Sequence, residues 1–538
     1  MKGRFKLKNM EFTYVTKLNS LYKGKHFLKD RNISILEFQM RLFDLVKHQD
    51  TPFMERINFI KIICSNLEEF IITRLANDES ESTQNELDMI ETIYHNLGVS
   101  LDIFNKLYKI NEDCNDINYY KILDDKTFCF VYAGESGSEL PLEMNDTVDI
   151  KSGKIRRNVL YSGDVIPDVD YVEHFIHVPR NIINLKYYVS IYEKMFKDNT
   201  DIYYPKDTKP YINLDFYTEL QYRDILIRNP YESYDHVLDF INQMCHHPNI
   251  KGIFITLYRT SSDSEIIKSL ICAKKLGKDV SVYVEPTARD SEVSNIQNIQ
   301  TLLKHGITVE CNYYNYKVHG KIFCAVDISG RVYSHIGTGN YNENTARVYT
   351  DFHLLTANPD VTNDALSIVM SLFLKDSYTK RHPFDDYQRL IFSSPLDFRF
   401  NINNLIELEK KKGTNGRIWI KCNSICDCAI IDKLYQAANA GVDVKIICRT
   451  GCSLNFHPNI QIKSKVGKYL EHDRFYIFGD NVYISSADLL LRNINKRFEL
   501  VCQIIQPDNI NKVIDTFVTL WNDPYIHYLD NDGFWKIK

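Results

Sequence analysis

From residue 34 to about 110, apolar residues recur at steps of three and four: Ile35, Phe38, Leu42 and Leu45, then Phe53, Ile57, Ile60, Ile63, Leu67 and Phe70. That spacing predicts helices with one buried face. Ser34 with Glu37 three residues on has the form of a capping box and places a helix start there, and Pro52 stands where the next helix would begin. Between residues 111 and 208 the pattern weakens into short apolar stretches such as Phe128 to Tyr132, broken by turn signals at Gly134 to Gly137, Gly153 and Gly163. This predicts a small α+β module.

Beyond residue 209 one pattern occurs twice, and an internal repeat decides architecture before any single motif does. The first copy reads as a buried strand, Gly252 to Tyr258, a helix from Ser264 to Leu276, a turn at Gly277 and a second strand, Val280 to Val284. The second copy has the strand Arg417 to Lys421, the helix Ile430 to Ala440, a turn at Gly441 and the strand Val444 to Cys448. Strand, helix, glycine turn and strand make a βαβ crossover on a parallel sheet. Each copy then carries a histidine next to a cation at the head of an apolar strand: His319 with Lys321, and His472 with Arg474. A small polar loop follows in both, Gly337-Thr338-Gly339-Asn340 and Ser485-Ser486-Ala487-Asp488. The expected fold is multidomain α/β: an N-terminal helical module over 1–110, a small α+β middle module over 111–208, and two tandem α/β domains over 209–386 and 387–538.

Composition narrows the function classes. Hydrophobic residues are 44% and charged residues 25% of the 538, a balance that supports packed cores and excludes wholesale disorder. With a net charge of -5 there is no global basic field to announce a nucleic acid or a membrane, so any polyanion site must be local. The apolar runs are strand length, far below the ~20 residues of a membrane helix. No signal-peptide pattern opens the chain, and its 13 cysteines are an odd, scattered set, so reduced thiols and a cytoplasmic location are expected. Cys422, Cys426, Cys428, Cys448 and Cys452 cluster, but their spacing is not that of a zinc ribbon or finger, and buried packing is the expectation.

On a strand, alternation sends both side chains of His-x-Lys to one face, where an imidazole and an ammonium can meet one phosphate. Two such histidines in register, each followed by a Gly- or Ser-rich loop with Asn or Asp, resemble the paired histidines of the phospholipase D superfamily. Residues 319–356, from His-Gly-Lys-Ile-Phe through Ser334-His-Ile-Gly-Thr-Gly-Asn340 to Tyr349-Thr-Asp-Phe-His-Leu-Leu-Thr356, resemble more closely the signature of polyphosphate kinases of the larger, histidine-phosphorylating type. The resemblance continues at Ile255 to Arg259 with Asp263-Ser264, at Ala288-Arg289, at Arg449 to Leu454, at Tyr469 to Arg474, and at Val482 to Asp488 with Arg492 to Ile494. It also takes in Pro52 to Leu75, with Ser65-Asn66. The tandem domains are then expected to be phospholipase D-like, and the middle module a shortened head domain.

The resemblance implies a reversible transfer of the terminal phosphate of ATP to inorganic polyphosphate, with His319 as the phosphorylated residue. It assigns ATP contacts to Asn66, Tyr349, Arg449 and His472. Arg259 and Arg289 fall at its magnesium-linked phosphate site; because a guanidinium only donates, they are read as clamps on phosphates that carry Mg2+. For His472 the roles of acid, phosphate clamp and second nucleophile stay open. Lys321, Asn340, Lys421, Arg474 and Arg492 are further candidate phosphate neighbours, while His335 and His353 are expected in the core or behind the site. The hydrolase branch usually has an Asp seven residues after the histidine, where this chain has Val326 and Gly479. That departure weighs against the alternative of a phospholipase D-like phosphodiesterase acting on lipid or nucleic acid. A non-catalytic polyphosphate- or nucleotide-binding relative is the other alternative. Gly320 stands where the family usually has Ala, a change expected to loosen the backbone, and Ile35 and Gln39 where it favours Trp and Asn. A homo-oligomer is compatible with the family, with the short middle module leaving the state open.

Overall fold

A computed structural model describes residues 29–74, 82–107, 118–124, 129–135, 138–141, 157–162, 172–179, 182, 185–196, 203–204, 208–260, 263–288, 291–311, 316–373 and 390–537. The chain divides into two compact units, Met1–Lys206 and Asp207–Lys538.

The first unit begins with three helices, α1 (Arg31–Lys47), α2 (Phe53–Thr73) and α3 (Ser82–Leu107). Their apolar stripes close on one another through Leu36, Ile57, Ile60, Leu67, Ile90 and Leu97, all fully buried. The helix cap expected at Ser34 lies four residues earlier. Asp30 is the cap, its side chain accepting from the N–H groups of Asn32 and Ile33, and Glu37 is turned instead to Lys29 Nζ at 2.8 Å. A buried ammonium outcompetes a backbone N–H for that carboxylate. A five-stranded sheet follows in the order β3 (Ser138–Pro141), β2 (Cys129–Glu135), β1 (Asn118–Asp124), β4 (Arg157–Ser162), β5 (Val172–His177), and α4 (Leu185–Met195) ends the described elements of the unit.

The second unit is built on two sheets. The first contains β6 (Ile225–Asn229), β7 (Ile250–Leu257), β8 (Asp279–Val284), β9 (Thr308–Glu310), β11 (Lys321–Asp327), β12 (Val332–Gly337) and β13 (Tyr349–Thr356). The predicted crossover is there: β7 runs parallel to β8, joined by α5 (Glu265–Lys275), whose N-terminus is capped by Ser264 accepting from Ile266 N–H. Gly277, at φ 85, makes the turn that follows, a conformation costly for any residue with a Cβ. The second sheet repeats the plan with β15 (Arg417–Cys422) parallel to β16 (Asp443–Cys448), joined by α6 (Cys428–Asn439) and a turn at Gly441, φ 95. Its remaining strands include β14 (Ile391–Ser394), β17 (Ile460–Ser464), β19 (Arg474–Phe478), β20 (Asn481–Ser485) and β21 (Arg497–Ile504).

The two sheets exchange short strands. β10 (Lys317–Val318), from the first repeat, pairs parallel with β21 of the second, placing Lys317 opposite Arg497. β18 (Leu470–Glu471), from the second repeat, pairs parallel with β13 of the first, placing Leu470 opposite Tyr349. A shared hydrophobic core lies behind this exchange: Ile322, Ile336, Phe352 and Leu354 from one repeat pack with Phe475, Ile477, Phe498 and Leu500 from the other. Phe352 and Phe475 meet edge to face at 5.6 Å. With that much apolar area common to both, the repeats act as one body.

Candidate active site

The strand exchange dictates what faces each histidine. Two residues beyond Lys317 is His319, and two beyond its partner Arg497 is Glu499; two beyond Leu470 is His472, and two beyond its partner Tyr349 is Asp351. In parallel strands equal steps keep residues abreast. Thus His319 Nδ1 bonds Glu499 Oε2 at 2.8 Å and His472 Nδ1 bonds Asp351 Oδ1 at 2.9 Å. Each histidine is held by a carboxylate of the other repeat.

Each carboxylate is in turn held by a hydroxyl thirteen residues before it: Ser486 Oγ donates to Glu499 Oε2, and Thr338 Oγ1 to Asp351 Oδ1, both at 2.6 Å. Those hydroxyls accept from Leu500 N–H and Phe352 N–H, each at 3.0 Å, so their protons point at the carboxylates. Asn493 Nδ2 also donates to Glu499 Oε1 at 2.7 Å. A carboxyl oxygen surrounded by donors must itself accept. The proton of each imidazole therefore sits on Nδ1, and Nε2 carries a lone pair.

The electrostatics keep both rings neutral. Burial drives His319 well below the ordinary histidine range, and Lys321, Arg497, Arg474 and His472 all add to that. Burial and Arg474 bring His472 down to about 4 although Asp351 pulls the other way. Arg474 Nη1 lies near both ring nitrogens of His472, 3.1 Å from Nε2 and 3.3 Å from Nδ1, and its Nη2 donates to Asp488 Oδ2 at 3.1 Å. Burial pushes the Glu499 carboxyl up, opposed by Lys321 and Arg497. Tyr258 stands edge-on to the His319 ring at 4.6 Å, and Arg259 reaches over the same tyrosine.

The other expected residues lie at, beside or away from this centre. Tyr349 is 5.3 Å from the His472 ring, and Arg449 is half-buried near Tyr349, Arg474 and Asp488. Lys321 is buried, its ammonium on His319 O, and Asn340 Oδ1 is buried without a donor among the described residues. Lys421 has a different task from the one expected: its ammonium is taken up by Glu471 and Asp473. Arg492 is exposed on a short helix, α7 (Leu491–Lys496). Asn66 lies in α2 of the first unit, donating to Gln39 Oε1 at 3.1 Å, and Arg289 falls outside the described residues. His335 and His353 form a buried chain, in which Tyr341 O–H meets His335 Nδ1 at 2.6 Å, His335 Nε2 meets His353 Nδ1 at 2.8 Å, and His353 Nε2 donates to Asn229 Oδ1 at 2.7 Å.

Sequence reasoning missed Glu499, Asp351, Thr338, Ser486 and Tyr258. A hydroxyl in the small loop followed thirteen residues later by an acid, once per repeat, was the available signal. Asp327, one place beyond the position usual in hydrolases, anchors a turn by accepting from Ser329 and Arg331 N–H, and Asp480 is exposed. Gly320 has a packing reason: a Cβ there would stand 2.8 Å from Leu500 Cγ. The expected loosening of the backbone is replaced by a close approach. Cys422, Cys448 and Cys452 are buried free thiols, whereas Cys426 is half-buried and Cys428 is exposed, against the burial expected for all five, and among the described residues no three His, Cys, Asp or Glu side chains converge as a metal site.

Two α/β repeats share a core and present crosswise histidine–carboxylate pairs to one cationic centre, an arrangement of the kind expected for tandem phospholipase D-like domains. Three family models match: Polyphosphate kinase N-terminal domain over 28–117, C-terminal domain 1 over 215–378 and C-terminal domain 2 over 391–538. The chain belongs to the polyphosphate kinase family. It is 36% identical over 326 residues to the polyphosphate kinase of Yersinia pestis, covering 58% of this chain and 46% of that one. It is 35% identical over 392 residues to that of Exiguobacterium, covering 68% and 53%. The chain thus spans about half the length of the curated relatives it matches. The crystal structure of polyphosphate kinase from Porphyromonas gingivalis shares the fold, with a TM-score of 0.72 at 22% identity and 96% of each chain covered.

Proposed function

We propose that this chain is an ATP–polyphosphate phosphotransferase working through a phosphohistidine on His319. The observation that carries the reading is the Glu499–His319 bond: it holds the ring proton on Nδ1 and leaves the Nε2 lone pair free in a site lined with cations. Nε2 attacks the γ-phosphorus of ATP as the bond to the bridging oxygen breaks, and ADP departs with that electron pair. A terminal oxygen of polyphosphate then takes the phosphoryl group and returns the lone pair to Nε2. Charge is the main cost of such a transfer, and its stabilisation the main task of the protein. Arg474, Arg449, Lys321 and Arg259 supply it, and Tyr349 beside His472 offers a face for the nucleotide base.

His472 is best read as the seat of Arg474, the group that meets the phosphate, because its own Nδ1–H is spent on Asp351. Its Nε2 faces Arg474 and its pKa lies near 4, so at neutral pH it has no proton to give a leaving group. It orients the guanidinium and, through Nδ1–H, stays fixed on Asp351. Magnesium fits as an ion brought in on the substrate's phosphates, its usual mode with nucleotides: the carboxylates Asp351, Asp488 and Glu499 already serve histidines, arginine and N–H donors. Arg259 would hold the phosphates that carry it, and the ion would neutralise charge. Turnover with Mg–ATP and a polyphosphate primer, run in both directions, tests the reading. Formation of long polyphosphate from ATP, and of ATP from ADP and polyphosphate, is expected; hydrolysis of phosphodiesters without ATP would overturn it.

A further inference from the structure

His472 is flanked by two acids, and neither faces the catalytic centre. Alternation along the extended chain sends Glu471 and Asp473 to the face opposite the imidazole. There they meet cations from both repeats. Arg228, on β6, donates from Nε to Asp473 Oδ2 at 3.0 Å and reaches Glu471 Oε2 with Nη2 at 3.4 Å. Lys421, on β15, lies 3.2 Å from Glu471 Oε2 and also binds Asp473. Thr350, between Tyr349 and Asp351, donates from Oγ1 to Asp473 Oδ1 at 2.9 Å and accepts the backbone N–H of His472 at 3.1 Å.

Arg228 is the most exposed member of this set, with 11% of its side chain accessible. Its guanidinium also lies 4.7 Å from the Tyr231 ring and 5.7 Å from Phe352. Burial alone would push the Asp473 carboxyl up, and Lys421 and Arg228 more than reverse it. Two positive and two negative charges balance. Such a cluster adds little net stability, because desolvation offsets its attraction, but it is satisfied in one arrangement only. Arg228 lies opposite Phe352 across β6 and β13, Lys421 opposite Phe475 across β15 and β19. The cluster therefore pins the two repeats together at the segment that carries His472.

We propose that Arg228 is a positioning residue for phosphoryl transfer: by gripping Asp473 and Glu471 across the boundary between the repeats, it sets the register of His472 against Asp351 and so aims Arg474 at the phosphate on His319. The proposal rests on the phosphotransfer reading above. No atom of Arg228 need touch a substrate.

The test uses the full chain and three variants, Arg228→Met, Arg228→Lys and Asp473→Asn, each assayed well below its own melting temperature. Steady-state kcat and KM are measured for Mg–ATP with a polyphosphate primer. Arg228→Met is expected to lower kcat at least tenfold while KM for ATP changes less than threefold. Arg228→Lys, which keeps the charge but loses the fork, should recover part of kcat. Asp473→Asn breaks the same link from the other side and should lower kcat alone, so it decides the matter if Arg228→Met does not fold. A kcat per folded molecule equal to wild type, or a rise in KM with kcat unchanged, would overturn the proposal. If the wild-type chain itself moves no phosphate, it is the phosphotransfer reading that fails, and the variants are not at issue.

Discussion

Glu499→Gln removes one charge and keeps the shape of the side chain. The surroundings can absorb the new amide: its oxygen can take over Oε2, accepting from His319 and Ser486, while its NH2 faces Asn493, whose own Oδ1 is buried without a donor and can turn to accept. The Nδ1–H tautomer of His319 is then preserved, and what is lost is the negative charge behind a ring that becomes positive as Nε2 bonds to phosphorus. For charges about 4 Å apart at an effective dielectric near 20, that attraction is about 4 kcal/mol, and the remaining neutral hydrogen bond leaves a deficit of roughly 2–4 kcal/mol. The expected result is a fall in the rate of phosphohistidine formation of about 30- to 1,000-fold, with ATP affinity nearly unchanged because Glu499 lies behind the ring. Rapid-quench labelling with γ-labelled ATP measures the step directly. A fall of less than about fivefold, or a loss residing in ATP binding, would refute the assignment of Glu499 as the partner that activates His319.

Acidification should destabilise the fold through its buried histidines, which outnumber the one site carboxyl, Glu499, that burial pushes up. His353 and His472 are brought down to about 4, and His319 and His335 also lie well below the ordinary value, chiefly through burial. Between roughly pH 6.5 and 4 the unfolded chain binds protons that the fold refuses, so stability falls as pH falls, by up to about 1.4 kcal/mol per pH unit for each group. A urea midpoint that holds or rises between neutral pH and about pH 5 would contradict those four neutral histidines. Gly320→Ala should cost about 1–3 kcal/mol, since its Cβ meets Leu500 at 2.8 Å, and Leu500→Ala in the same chain should recover part of it. An unchanged thermal midpoint for the single variant would show that Leu500 yields freely.

The repeat was legible because each copy obeys local rules: a buried strand, a capped helix, and a glycine that must take positive φ at 277 and at 441. The histidines were legible through their cations and the loops behind them. What local rules could not deliver was the exchange of strands. His319 and Glu499 are 180 residues apart, and His472 and Asp351 are 121 apart in the opposite sense, so the pairs become partners only once β10 joins β21 and β18 joins β13. Lys421 was misplaced for a related reason. Its charge pattern fits a phosphate ligand, and only the fold brings Glu471, Asp473 and Arg228 around it. The capping box at Ser34 failed through competition, as Lys29 claims the glutamate and Asp30 takes the cap.

If Nε2 of His319 accepts the γ-phosphoryl group of ATP, the phosphohistidine can be trapped by covalent labelling. Wild-type protein incubated with γ-labelled ATP and magnesium should carry an acid-labile, base-stable label that maps to the peptide containing His319, disappears in His319→Ala, and chases into polyphosphate on addition of primer. Label that persists in His319→Ala, or maps to His472, would show that His319 is not the residue that accepts the phosphoryl group.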